Sequence, residues 1–309
     1  MTSRSRRRFL RSTAVAAAGA LVPGIVRAQT SVKVGTAVLG DYALAGPFVL
    51  ALEKGFFAQE GLAAEFVPFR GGPNLAKAVI AGEILVGATG ATDILVFREA
   101  GMPLKMIATQ TEGNHFTLNV APEIQRVADL KGKAIGVTLI GSTTWVFAQI
   151  VAKQQGWDPD RDVKIVGLGG LDAQLAALTR KEIHAFVWGD GGAVTEQQGK
   201  SSQIQYASEE AIKKNGEAIR KATRAIFRAQ HFMRASPQDA AAIAAKKLGW
   251  SVEATLGAHK ISGPLLSGDG TISVEALRTM QDTLLEHGVI KKRLPLDDHY
   301  TKEFIPVRV

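Results

Sequence analysis

The stretch Asp129-Leu130-Lys131-Gly132-Lys133-Ala134-Ile135-Gly136-Val137-Thr138-Leu139-Ile140-Gly141-Ser142-Thr143-Thr144-Trp145 decides how the rest of the chain is read. A charged turn, Asp129 to Lys133, leads into a short apolar run, 134–140, that reads as a strand buried on both faces. Gly141 frees the backbone, and Ser142, Thr143 and Thr144 offer capping hydroxyls before the apolar pattern Val146, Phe147, Ile150, Val151 opens a helix. Backbone N–H groups, hydroxyls and the positive end of a helix dipole would then converge on one spot, which suits a small anion or a polar ligand. Plain helix capping with nothing bound explains the same residues.

Upstream, Ser5-Arg6-Arg7-Arg8-Phe9-Leu10-Arg11 followed by the small, weakly apolar run 12–26 has the layout of an export signal. It resembles the twin-arginine type, with cleavage expected after about Ala28 and a periplasmic destination. The run is too short to span a membrane, and no later segment reaches about 18 apolar residues without charges. Residues 1–28 contain six Arg and no acid, so the formal charge of +8 falls to +2 without them. The basic character therefore belongs to the signal and gives no case for nucleic-acid binding. With no cysteine, disulfides, a thiol nucleophile, a Cys-zinc site and a lipid-anchored N-terminus are excluded.

From Ser31 onward strand and helix patterns alternate. Strands are expected at 32–39, 64–69, 84–86, 104–109, 163–168 and 185–188, and helices at 48–57, from Gly72-Pro73 to Gly82, from Gly90 to Ala100, and at 171–180. Such alternation gives βαβ units, a mainly parallel sheet, and a ligand at the carboxyl ends of its strands. From Glu209 the chain reads as helical, with a last capped helix from Ser273 to His287.

Four motifs then carry a family resemblance: Ala51-Leu52-Glu53-Lys54-Gly55-Phe56-Phe57-Ala58-Gln59-Glu60-Gly61-Leu62, Gly82-Glu83-Ile84, Gly101-Met102-Pro103-Leu104-Lys105 and Asp129-Leu130-Lys131-Gly132-Lys133. In order and spacing they resemble the periplasmic substrate-binding proteins of ABC importers, in the group that takes up aliphatic sulfonates, taurine, nitrate and thiamine-related pyrimidines. The resemblance implies an α/β fold of two lobes, each a mainly parallel sheet flanked by helices, with a hinge between them and the ligand in the cleft. It divides the chain into a signal at 1–28, lobe one at 29–118 and 206–309, and lobe two at 119–205, with Phe116 to Val120 as the first hinge strand. Segment 191–209 is shorter than the family's counterpart, and Gln203 to Tyr206 is its one candidate strand. The second crossing is thus either abbreviated or lost, in which case the site is lost with it.

By the same resemblance the helix starts at Gly90 and Ser142 face each other across the cleft and hold the ligand's polar head. Thr89, Thr92, Thr143 and Thr144 would add hydroxyls, His115 a further polar group, Arg70 a direct anion partner, and Tyr42, Trp145 and Trp188 apolar walls. Asp93 and Asp190 could instead accept hydrogen bonds from amino groups, favouring a pyrimidine or amine over a sulfonate. The expected function is capture of a small polar or anionic solute for a permease in the inner membrane, by a monomer without catalysis, cofactor or metal. The six histidines are scattered, Gly199-Lys200-Ser201 lacks the leading glycine of a phosphate loop, and no Gly-x-Ser-x-Gly elbow occurs. Enzymes of this fold that make the thiamine pyrimidine are marked by a cysteine cluster, which is absent here. A sensory or scaffold relative is the remaining alternative.

Overall fold

A computed structural model describes residues 29–113, 116–189 and 203–309. The expected signal, His115, Asp190 and most of the short 191–209 segment lie outside the described residues. In lobe one, β1 (Thr30–Thr36), α1 (Tyr42–Glu53), α2 (Phe56–Gln59), β2 (Leu62–Pro68), α3 (Gly72–Ile80), β3 (Val86–Gly90), α4 (Ala91–Glu99) and β4 (Leu104–Thr111) follow in order. The chain then passes to a second sheet made of β5 (Thr117–Val120), β6 (Ala134–Val137), β7 (Lys164–Gly167) and β8 (Ala185–Trp188). Helix α5 (Thr143–Gln154) follows β6, and α6 (Leu171–Thr179) follows β7. The chain returns as β9 (Gln203–Ser208) and ends in α7 (Glu209–Ala235), α8 (Pro237–Leu248), α9 (Val252–Ser262) and α10 (Val274–Glu286).

The first sheet has the order β2-β1-β3-β9-β4 and the second β5-β8-β6-β7. Strands β1, β2 and β3 are parallel, as are β6, β7 and β8, while β9 runs antiparallel between β3 and β4, and β5 antiparallel to β8. This is the two-lobed α/β arrangement, two mixed sheets flanked by helices. The largest apolar cluster runs through both lobes, from Val34 and Phe48 to Ile183 and Phe186, and a second covers the outer face of the β6 sheet around Ile135 and Ala148. No helix among the described residues is long and apolar enough to cross a membrane.

The return strand is present. Strand β9 is buried along its whole length and occupies an inner position of the first sheet.

Element boundaries differ from the sequence expectation at several places, and three of the differences have a plain local cause. Helix α1 starts at Tyr42, not after Pro47, although proline removes an N–H that would bond the carbonyl of residue 43. Gln110 supplies the missing donor: its Nε2 donates to the carbonyls of Ala43 at 2.7 Å and Leu44 at 2.9 Å. Asp41 caps the start, its Oδ1 accepting from the Leu44 N–H. Strand β3 is shifted to Val86–Gly90 because Glu83 and Ile84 fold back onto the carbonyl of Ala78 at the end of α3. Strand β6 stops at Val137 because Thr138, Ser142 and Thr144 tie the next residues into a side-chain hydrogen-bonded turn.

Candidate functional site

The cleft between the lobes is closed. Where β3 ends, Gly90 caps α4 without a side chain, and a Cβ built there would stand 2.2 Å from Thr143 Oγ1 of the opposite lobe. Where β6 ends, Ser142 caps α5, its Oγ accepting from the Trp145 N–H. The two helix starts therefore meet, as the resemblance implied. Further contacts join the lobes at the rim: the Trp188 indole N–H donates to the Gly40 carbonyl at 2.7 Å, and Lys153 Nζ donates to the His287 carbonyl.

At the meeting point lies Asp93, 1 % exposed, in the first turn of α4. Its Oδ1 accepts from Thr143 Oγ1 at 2.6 Å and its Oδ2 from Thr89 Oγ1 at 2.5 Å, with a further bond from the Thr143 backbone N–H. Thr92 Oγ1 donates to Thr143 Oγ1 at 2.9 Å, extending the network across the lobes. Gly72, the first residue of α3, also packs here; a Cβ on it would stand 1.7 Å from Asp93 Oδ2. The position into which α5 points its N-terminus is thus occupied by the chain's own carboxylate. Burial pushes the Asp93 carboxyl up from 3.8 to about 6, and the donors from Thr143 and Thr89 only partly offset it. The nearby Tyr206 hydroxyl is raised well above its ordinary value, first by burial and then by the field of Asp93.

A cavity of about 30 Å³ remains beside this network, room for about one water molecule. Of the sequence-expected residues, Thr89, Gly90, Asp93, Ser142, Thr143, Thr144 and Trp188 line it. Thr92 is buried beside it and acts through Thr143. Tyr42 does not line the cavity: it is fully buried, its ring edge-on to His259 at 5.8 Å, because α1 begins six residues earlier than expected and takes it into the core. Trp145 is half-buried and packs between the two apolar clusters instead of lining the cavity. Arg70 is exposed and lies beside Gly169 at the edge of the lobe contact, away from the cavity.

Residues not singled out from sequence complete the lining, chiefly Asp41, Thr138 and Gln203. Gln203 Nε2 donates to Asp41 Oδ2 at 2.9 Å, tying β9 to the start of α1. Two glutamines alternating with apolar residues, Gln203 and Gln205 in a strand, are a readable signal for buried polar roles. Among the described residues no cluster of three or more His, Cys, Asp or Glu could hold a metal.

A family model described as NMT1/THI5 like matches residues 45–240, more than half of the chain. This chain belongs to the NMT1/THI5-like family. A binding protein of Brucella abortus (strain 2308) is 25% identical over 326 residues, covering 98% of this chain and 99% of the relative. The taurine-binding periplasmic protein of Escherichia coli (strain K12) is 30% identical over 159 residues, 50% of this chain and 49% of that protein. Among solved structures, the alkanesulfonate-binding protein SsuA of Xanthomonas axonopodis pv. citri, bound to MOPS, superposes with a TM-score of 0.69 at 19% identity, covering 87% of this chain and 96% of SsuA. A Candida albicans protein with the generic periplasmic binding protein fold gives 0.70 at 16% identity, covering 88% and 96%. The fold of this NMT1/THI5-like chain is thus that of the periplasmic binding proteins. The fold also serves catalysis elsewhere, since the desulfurization enzyme DszB matches with a TM-score of 0.58 at 14% identity, covering 89% and 97%.

Proposed function

We propose that this chain is the solute-binding subunit of an ABC importer, exported by its twin-arginine-type signal, cleaved after about Ala28, and working in the periplasm as a monomer without catalysis. The observation that carries the reading is the site itself: two helix N-termini from opposite lobes meet at a buried polar network with a cavity beside it. Thirty cubic ångströms cannot hold an organic solute, so the lobes must part to admit one and close over it. The parting movement separates the two sheets, which the chain joins twice, after β4 and again before β9. The division of the chain at 29–118 with 206–309, and 119–205, puts its boundaries inside β5 and β9, a few residues from these passages. A loaded, closed protein would then present its solute to a permease in the inner membrane.

The family and the taurine- and sulfonate-binding relatives support solute capture in such a cleft. Two measurements test the reading. A fusion of residues 1–28 to a reporter that is active only after export should be exported, and retention in the cytoplasm would refute the localisation. Thermal unfolding of residues 29–309, which contain every described element, should rise by several degrees with one member of a solute library, because a ligand at about 1,000 times its dissociation constant adds roughly 4 kcal/mol.

A further inference from the structure

We infer that Gln203 selects the solute: its amide oxygen takes a hydrogen bond from an N–H or O–H on the bound compound, so a solute bearing that donor binds much tighter than its alkylated counterpart of the same charge. The inference rests on the solute-binding reading above and names a chemical feature that the solute must carry.

Gln203 is the first residue of β9, paired with Gly90 of β3 on one side and with Thr111 of β4 on the other. That register sets it beside the start of α4, where it lines the cavity and is 0 % exposed. Its backbone N–H donates to Thr111 Oγ1 at 3.0 Å, and its Nε2 donates to Asp41 Oδ2 at 2.9 Å. An ionised carboxylate only accepts, so the bond to Asp41 fixes which end of the amide is the nitrogen. Oε1 is then left buried without a hydrogen-bond partner among the described residues. Thr111 in β4 and Asp41 at the start of α1 both belong to lobe one, so the amide keeps its orientation when the lobes part.

A buried amide oxygen with no donor costs free energy that a solute returns by donating to it. The hydroxyls of Thr89, Thr143 and Ser142, which line the same cavity, cannot serve it: the first two donate to Asp93 and the third to the Leu139 carbonyl at 2.7 Å. One water molecule fits the remaining space of about 30 Å³ and can serve Oε1 in the empty cleft. A solute that displaces such a water has to reproduce its bond or lose affinity. A site arranged around a hydrogen bond rejects the analogue lacking it more strongly than an apolar pocket rejects one extra methylene. The demand is for a donor and not for a charge, so an alcohol, an amide, an aminopyrimidine or an ammonium group meets it equally.

The test offers residues 29–309 pairs of probes equal in charge and differing in the donor, read by thermal unfolding and calorimetry. The pairs are taurine and trimethyltaurine, isethionate and its methyl ether, propionamide and dimethylpropionamide, propylammonium and propyltrimethylammonium, and aminopyrimidine and dimethylaminopyrimidine. The expected result is that a donor-bearing member binds, and binds about tenfold or more tighter than its counterpart. Gln203→Met keeps the bulk without the oxygen, and should cut that preference to about threefold or less while the counterpart binds as it does to wild type. Should Gln203→Met not fold, Gln203→Asn, which draws the amide back by one methylene, should lower the preference as well. Equal binding within the pair by wild type, or a preference that survives intact in a folded variant, would overturn the role of Gln203 and leave the solute-binding reading standing. Folded wild-type protein that binds no member of any pair would overturn both.

Discussion

Replacing Asp93 by Asn should make the empty protein more stable at neutral pH and leave it no more stable in acid. The carboxylate is buried with no cation lining its cavity among the described residues. Its folded-state value lies near 6 against 3.8 for the free group, so the folded protein binds the proton more tightly than the unfolded chain does. Stability from this group is therefore greatest below about pH 4 and declines as pH rises to about 6. The rise from 3.8 to about 6 corresponds to roughly 3 kcal/mol lost above that window. Asn keeps the shape and one acceptor for Thr143, and its amide can donate to Thr89, whose hydroxyl also accepts. Urea unfolding of both proteins from pH 4 to pH 8, compared as a difference so that other titrating groups cancel, should show the variant gaining about 3 kcal/mol on wild type across that range, equivalent to roughly 6 °C in Tm. A difference that stays flat with pH, or grows toward acid, would refute the claim that Asp93 is a buried, uncompensated carboxylate.

Other consequences of the structure can be measured alongside. Gln110→Leu should destabilise the protein by about 2 kcal/mol in urea unfolding, since it removes the buried amide whose Nε2 donates to the Leu44 carbonyl and to the Ala43 carbonyl, the one that loses an N–H at Pro47. An unchanged midpoint would show that another group satisfies them. Trp188→Phe removes the indole donor to the Gly40 carbonyl that pins the rim, and should raise the radius of gyration in small-angle scattering by favouring the open form, with little change in unfolding.

The fold was legible because periodic signals and glycine-marked turns repeat along the chain. Strand β8 and helices α3, α4 and α6 lie within a residue or two of their expected places, and Ser142 and Ser273 cap the helices they were expected to cap. What escaped the sequence were long-range substitutions of one group for another. Pro47 reads locally as a helix breaker, and only the fold brings Gln110 from β4 to complete the helix. The meeting of Gly90 with Ser142 followed from the family resemblance, but not that Asp93 would reach across and engage Thr143. An aspartate in the first turn of a helix is ordinarily a partner of its own helix dipole, so its sequence position carries no sign of a second helix pointing at it. Tyr42 and Trp145 were read as cleft walls because aromatic residues at loop ends suit either role; the early start of α1 decided one and packing between two apolar clusters the other.

The central claim is that a solute is held where α4 and α5 meet, by closure of the lobes. Gly90→Ala tests it most directly, since the added methyl would collide with Thr143 across the cleft while adding no polar group to either lobe. Calorimetric titration of wild type and Gly90→Ala with the solute found by the thermal screen should show affinity falling at least thirtyfold, with the unliganded variant still folded by circular dichroism. Wild-type affinity in the folded variant would contradict the account, placing the solute elsewhere or removing the need for the lobes to close on it.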